Sequence, residues 1–151
     1  AGCVGAFWTK LGLLTMGGKF SSDDESVLLD RGVRFGKGLQ LVNILRDLPF
    51  DLSQGRCYLP VSDPRNRVEL LESHRTWTAT AKAWVGEGFL YADSLASRRL
   101  RAASVLPARI AYETIERLET ADWQTLKQRV KVPRSRVYRA LVASFLRRPK
   151  F

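Results

Sequence analysis

The 151 residues predict an all-α protein, and three observations carry that reading. No segment alternates polar and apolar residues with period two. Apolar residues recur instead at helical spacing, most clearly as Trp77, Ala81, Trp84, Gly88, Tyr91 and Leu95. Helix-start signals precede several of the apolar stretches, as in Ser21-Ser22-Asp23-Asp24-Glu25, Asp122 and Pro133. The length suits one domain with one core, and composition excludes disorder and repeats.

In chain order, residues from Ala1 to about Thr15 read as a buried helix with Ala1, Gly5 and Trp8 on one face, ended by Met16-Gly17-Gly18. It opens with neither Met nor a capping residue, so the chain is expected to be cut inside a helix of a longer protein. The next helix starts after the acidic cluster at Asp23–Glu25 and runs through Leu28, Leu29 and Val33. Pro49 cannot donate to the Leu45 carbonyl, so a kink or stop is expected there. Residues 52–60 read as a loop, Asp63-Pro64 as a turn, and Arg67 to Ser73 as a short helix. A longer helix should span Ser73 to Ala96. Another should span Arg98 to Thr120, bent at Pro107, with Leu106, Ile110, Ile115 and Leu118 facing a core. Asp122 caps a short piece to Gln128. A last helix follows Pro133, with Val137, Leu141 and Phe145 on one face and Arg136, Arg139, Arg147 and Arg148 off it.

Charge is uneven. The chain carries a net +10; residues 1–75 hold 10 basic and 9 acidic residues, whereas residues 76–151 hold 15 and 6. A basic half implies an anionic partner: a phosphorylated ligand, an acidic membrane surface or nucleic acid. Cys3 and Cys57 have no metal spacing and form no framework, which favours a reducing, cytoplasmic setting. His74, the only histidine, nearly excludes His-based metal or triad chemistry and is expected at a helix start on the surface. Residues 1–18 contain Lys10 and five glycines, a poor membrane span or signal.

The stretch from Gly32 to Pro60 reads as chemistry. If Gly32 to Asp51 form one helix, Gln40, Asn43, Asp47 and Asp51 fall within roughly 80° of one another. Gly32 and Gly36 continue that stripe, either to admit a close helix or to line a cavity. Two carboxylates spaced this way are common on solvated faces, but here the flanks are apolar. Carboxylates with amide neighbours suit Mg²⁺, a hard cation that completes its octahedron with water and phosphate oxygens. Trp77, Trp84 and Tyr91 read as core, and Arg134, Arg136 and Arg139 as a solvated face in preference to a phosphate site.

N-I-L-R-D-L-P-F-D from Asn43 to Asp51, followed by G-R-C-Y-L-P from Gly55 to Pro60, resembles the second aspartate-rich region of the squalene/phytoene synthase family. Ala1 to Trp8 resembles the family's V-A-G-x-V-G helix, which lines the prenyl cavity. Arg99 to Leu118 and Arg129 to Arg139 resemble its R-x-R-x-x-x-x-x-P-x-x-I helix and its V-x-V-P-R-x-x-V-Y-R segment.

The resemblance implies a partial isoprenoid-synthase-type bundle of five to six helices, the C-terminal half of a family domain. It implies a head-to-head prenyltransferase that uses Mg²⁺ to join two prenyl diphosphates. Farnesyl diphosphate would give squalene through presqualene diphosphate, with NADPH if squalene is the product; a phytoene-type product is the alternative. Asn43, Asp47 and Asp51 would hold Mg²⁺ and diphosphate, with Asp47, Asp51 and Tyr112 catalytic and Tyr112 facing the cavity. Ala1, Val4 and Gly5 would line the prenyl cavity and Gln40 would border the metal. Arg56 and Tyr58 would flank a lid, and Arg129 would contact phosphate. The implied protein is cytoplasmic or peripheral to a membrane and has no nucleic-acid partner. Two departures stand out. The family's first D-x-x-x-D motif is missing, so little activity is expected of these 151 residues alone. Phe50 and Pro49 replace an acidic residue and an ordinary helix former of many relatives. The alternatives are a catalytically inactive interaction domain of the same family and a basic nucleic-acid-binding domain.

Overall fold

A computed structural model describes residues 1–146, with side chains to Ala143. The elements are α1 (Gly2–Met16), a 3-10 turn (Gly17–Lys19), α2 (Glu25–Ser53), α3 (Arg67–Ser94), α4 (Arg98–Glu119), α5 (Trp123–Lys127) and α6 (Arg134–Leu146). The all-α expectation holds, with one isolated bridge between Ser21 and Leu95 among the described residues. None of these helices is long and apolar enough to cross a membrane.

Helices α1 to α4 pack as successive antiparallel neighbours. Gly5 meets Gly32 while Gly36 meets Ala1; Gly88 meets Phe35 while Gly38 meets Val85; Lys82 meets Glu119 while Phe89 meets Tyr112. The main core fills the space between α2, α3 and α4 with Leu41, Leu45, Leu70, Val85, Val105 and Ile115, and Leu126 of α5 closes it. A smaller cluster of Phe20, Leu28, Tyr91 and Leu95 sits at the N-terminal end of α2. There the Ala96 amide donates to the Phe20 carbonyl (2.8 Å) and the Ser21 hydroxyl to that of Ser94 (2.7 Å).

Capping explains the starts. Asp24 accepts from the amides of Ser26 and Val27, Asn66 from those of Val68 and Glu69, and Asp122 from that of Thr125. Glu69 also reaches back to Ser62, which ties down the loop before α3.

Several expectations need correction. α2 does not stop at Pro49 but continues to Ser53. α4, by contrast, runs through Pro107 as one helix, as expected. The separate helix at Arg67 to Ser73 is the first part of one long α3, so His74 lies inside it, 2% exposed, rather than on the surface. On α1 only Gly2, Thr9 and Gly12 are buried; Val4, Phe7, Trp8 and Leu14 are exposed, because α1 turns its small residues, not its large ones, to α2. Cys3 is exposed too. In α4 the buried face runs through Ala102, Val105, Ala108 and Ala111 to Ile115 and Leu118, leaving Leu106 and Ile110 half-buried. On α6, Val137 is partly buried and Leu141 is 39% exposed. The side chain of Phe145, with Arg147 and Arg148, lies outside the described residues.

Packing and burial each have a measurable consequence. A Cβ on Gly5 would run into the Gly32 carbonyl oxygen, whereas one on Gly86 meets nothing within 4 Å. Gly5→Ala should therefore destabilise by about 1–3 kcal/mol or more, and Gly86→Ala should stabilise by about 0.5–1 kcal/mol, both read by thermal unfolding. Burial holds the His74 imidazole below its ordinary value, outweighing the Leu45 carbonyl that pulls it up, and Arg75 adds to the lowering. The unfolded chain takes up that proton near pH 6.5 while the folded one does so only at lower pH. Stability should therefore fall as pH drops from about 7.5 to 5.5, and in His74→Leu that slope should flatten.

Candidate functional site

A groove of about 610 Å³ opens along one side of α2. Gly32, Phe35, Gly36, Leu39, Gln40 and Asn43 form its α2 wall, at the spacing of one helical face. Ala1, Val4, Gly5 and Trp8 of α1 face them, and Leu100, Ala103, Ser104 and Pro107 of α4 form a third wall. Phe20, Tyr91 and Leu95 also line it. The lining is overwhelmingly apolar, with the Gln40 and Asn43 amides on the α2 wall.

The groove has this shape because glycines let the two helices touch. A Cβ on Gly32 would come within 2.8 Å of Thr9 Oγ1, and one on Gly36 within 2.9 Å of the Ala1 carbonyl oxygen. Gly32 and Gly36 thus serve close packing and cavity lining together. Thr9 donates to the Gly5 carbonyl (2.8 Å) and shares a buried hydrogen bond with the Tyr91 hydroxyl (3.0 Å), pinning α1 to α3.

One and two turns beyond Asn43, the same helix carries Asp47 and Asp51. Arg46 grips Asp47 with two bonds, Nε to Oδ1 (3.1 Å) and Nη2 to Oδ2 (2.7 Å). Arg129 approaches from the chain after α5, its Nε 3.5 Å from Asp47 Oδ1 and its guanidinium 5.5 Å from the centre of the Phe50 ring. Arg56 reaches Asp51 Oδ1 at 3.2 Å from the loop after α2. The Arg46 bond holds the Asp47 carboxyl below the usual carboxylate range; partial burial opposes this and Arg129 adds to it. Asp47 is therefore ionised at neutral pH. Two carboxylates and three guanidiniums share this end of α2, a surplus of positive charge suited to an anion.

Arg129 is also the one described non-glycine residue with positive φ, at 61°. It follows α5 at the position where a left-handed glycine commonly ends a helix, and its amide bonds the Leu126 carbonyl.

Of the residues expected at the site, Ala1, Val4, Gly5, Gln40 and Asn43 share the groove, and Asp47, Asp51, Arg56 and Arg129 gather beyond it. Tyr58 is 56% exposed in the loop. Tyr112 does not line this groove; it lies on the α3–α4 side, edge-on to Phe89 and near Lys82, because it sits well off the Ala103–Pro107 face of α4. Sequence reading missed Arg46. As the immediate neighbour of Asp47 it stands about 100° away on a helical wheel, and only its long side chain closes that angle.

The donors suit a hard cation. Asn43, Asp47 and Asp51 offer only oxygen, and no group of three or more His, Cys, Asp or Glu forms a metal cage among the described residues. A cation here would take few protein ligands and fill its shell from water and phosphate oxygens, as Mg²⁺ does.

The profile of the squalene/phytoene synthase family matches residues 1–136. The chain is similar to a 15-cis-phytoene synthase of Enterobacter agglomerans, 34% identical over 73 aligned residues that cover 40% of this chain and 25% of that protein. The match thus spans a quarter of the relative's length. An apolar groove that runs along α2 into an arginine-ringed aspartate pair, on a chain matched by the family from residue 1 to residue 136, makes this protein a member of the squalene/phytoene synthase family.

Proposed function

We propose that this chain supplies one wall of a Mg²⁺-dependent head-to-head prenyltransferase site, binding a prenyl diphosphate with its chain in the groove. The observation that supports it most is the continuity of α2, apolar and bare from Gly32 to Leu39, then polar and arginine-ringed at Asp47 and Asp51. Farnesyl diphosphate joined to a second copy, giving squalene by way of presqualene diphosphate, is the reading we favour, with NADPH serving the reductive step. A phytoene-type product uses the same first steps. These activities belong to the whole protein, of which we take residues 1–151 to be the C-terminal half; the exposed apolar side chains of α1 support a larger bundle.

In this reading Asn43, Asp47 and Asp51 hold Mg²⁺, which when bound supplies positive charge to the departing diphosphate. Arg46, Arg56 and Arg129 place fixed positive charge where the leaving group's charge develops. Asp47 acts as an ionised ligand and not as a base, because the step needing help is loss of diphosphate. The groove residues exclude water from the allylic cation that remains.

Inorganic diphosphate, with and without Mg²⁺, tests this by calorimetry. Asp47→Asn should abolish the gain in affinity that Mg²⁺ gives, about tenfold or more, while leaving metal-free binding intact because Arg46 and Arg129 remain. An unchanged Mg²⁺ effect would remove Asp47 from the metal site. Arg129→Gly should split stability from binding. It relieves a left-handed backbone worth about 1 kcal/mol or more, so the melting temperature should hold or rise while diphosphate affinity falls. A falling melting temperature with unchanged affinity would make Arg129 a purely structural residue.

A further inference from the structure

α5 has five residues, too few for a helix to keep its shape and place unaided. Yet it delivers Arg129: the Arg129 amide bonds the Leu126 carbonyl at 3.1 Å, and the guanidinium turns back to Asp47 and Phe50. Leu126, 1% exposed, anchors α5 in the main core. One buried side chain fixes a point, not a direction. The second anchor is Trp123, the first residue of the helix. Its half-buried ring packs against the core, and Arg67 lies over it with the guanidinium carbon 3.4 Å from the ring centre. That is stacking distance for two flat groups. The indole Nε1 is buried with no hydrogen-bond partner among the described residues, so packing and this stack hold the ring, not its N–H. Arg67 opens α3 and ends the segment that leaves α2. Near its start that segment carries Arg56, bonded to Asp51 at 3.2 Å, and near its end Ser62 donates to Glu69 through its amide (2.6 Å) and hydroxyl (2.9 Å). The stack thus joins the two stretches of chain that bring Arg56 and Arg129 to the charged end of α2.

We propose that Arg67 is a positioning residue: stacked on Trp123, it fixes the direction of α5 and so holds Arg129 against Asp47, where diphosphate binds. The last clause rests on reading Asp47 and Asp51 as a diphosphate site; the anchoring of α5 does not. Arg67 acts on the anion only through α5 and Arg129. Its flat guanidinium is what the role requires, since a lysine keeps the charge but cannot stack in the same way.

The test combines Arg67→Ala, Arg67→Lys, Trp123→Leu and Arg129→Ala in the full chain. It is read by amide exchange at Gln128 and Arg129 and by calorimetry with inorganic diphosphate and Mg²⁺. Arg67→Ala and Trp123→Leu should each speed exchange at those amides and weaken diphosphate binding about fivefold, the scale of one cation–π contact. Their combination should do little more than either alone, because both remove the same stack. Arg67→Lys should behave like Arg67→Ala, and Trp123→Phe, which keeps a ring, should recover part of the loss. With Arg129→Ala already in place, Arg67→Ala should still speed exchange but leave diphosphate affinity unchanged. A further loss of affinity in that background, or full rescue by Arg67→Lys, would make Arg67 a direct charge on the anion and overturn the proposal. Unaltered exchange at Gln128 and Arg129, or additive effects of Arg67→Ala and Trp123→Leu, would also overturn it. If Trp123→Leu fails to fold, the variants of Arg67, which is exposed, decide the matter with Arg129→Ala. Absence of diphosphate binding by the unsubstituted chain would sink the site reading, and exchange in Arg67→Ala would still decide whether the stack anchors α5.

Discussion

The backbone of α1 lies directly on that of α2 where Gly5 meets Gly32, and this contact sets the spacing of two walls of the groove. At that crossing neither helix carries a side chain, so the two axes approach closely, and the groove that α4 completes is correspondingly narrow and apolar. Thr9 ties the same crossing to α3 through Tyr91. Three helices are thus located by one glycine pair and one hydroxyl pair. A bulkier residue at either glycine would not merely strain the contact; it would lift a wall of the groove.

The groove and the charged end beyond it make opposite demands on one helix. The groove needs a dry surface without polar atoms. The far end needs carboxylates kept ionised and guanidiniums kept near them. α2 meets both because its length separates them: Gly32 and Asp51 are 19 positions apart, roughly 29 Å along the axis. The ion pairs at the charged end are partly solvated, with side chains 15–52% exposed, so their contribution to stability is modest. What they fix is the ionisation and placement of Asp47. Arginine suits this better than lysine, since its planar fork can hold both carboxylate oxygens at once.

How much of this was legible in the sequence depended on how local the cause was. Caps at Asp24 and Asp122, the helical spacing around Trp84 and the shared face of Gln40 and Asn43 follow from neighbours in the chain, and the structure agrees with each. The missed features have remote causes. Pro49 argued for a break because its own helix cannot supply the Leu45 carbonyl with a donor, whereas Leu45 and Leu48 before it and Leu52 after it pack on a core built from other helices. His74 looked like a surface residue because nothing nearby signals burial. α1 looked buried because its apolar residues are many, whereas packing chose its smallest ones. Tyr112 was placed by analogy with the family helix, and the register of α4 against α3 put it on another side.

Arg129 shows how the remote and local levels meet. After a helix as short as α5, a residue in the left-handed region is ordinarily glycine, because any side chain there meets the backbone. An arginine at φ 61° costs more than a glycine would, and Leu126, already bonded by its amide, gains nothing from the side chain. The guanidinium, however, projects back across α2 to Phe50 and Asp47, where it adds its positive charge to that of Arg46. The Phe50 ring lies beside that guanidinium, its centre 5.5 Å away, and offers it a cation–π contact. A strained backbone at 129 and an aromatic residue at 50 are therefore two halves of one arrangement. Together they hold Arg129 near Asp47, in addition to the direct packing of α5 on α2.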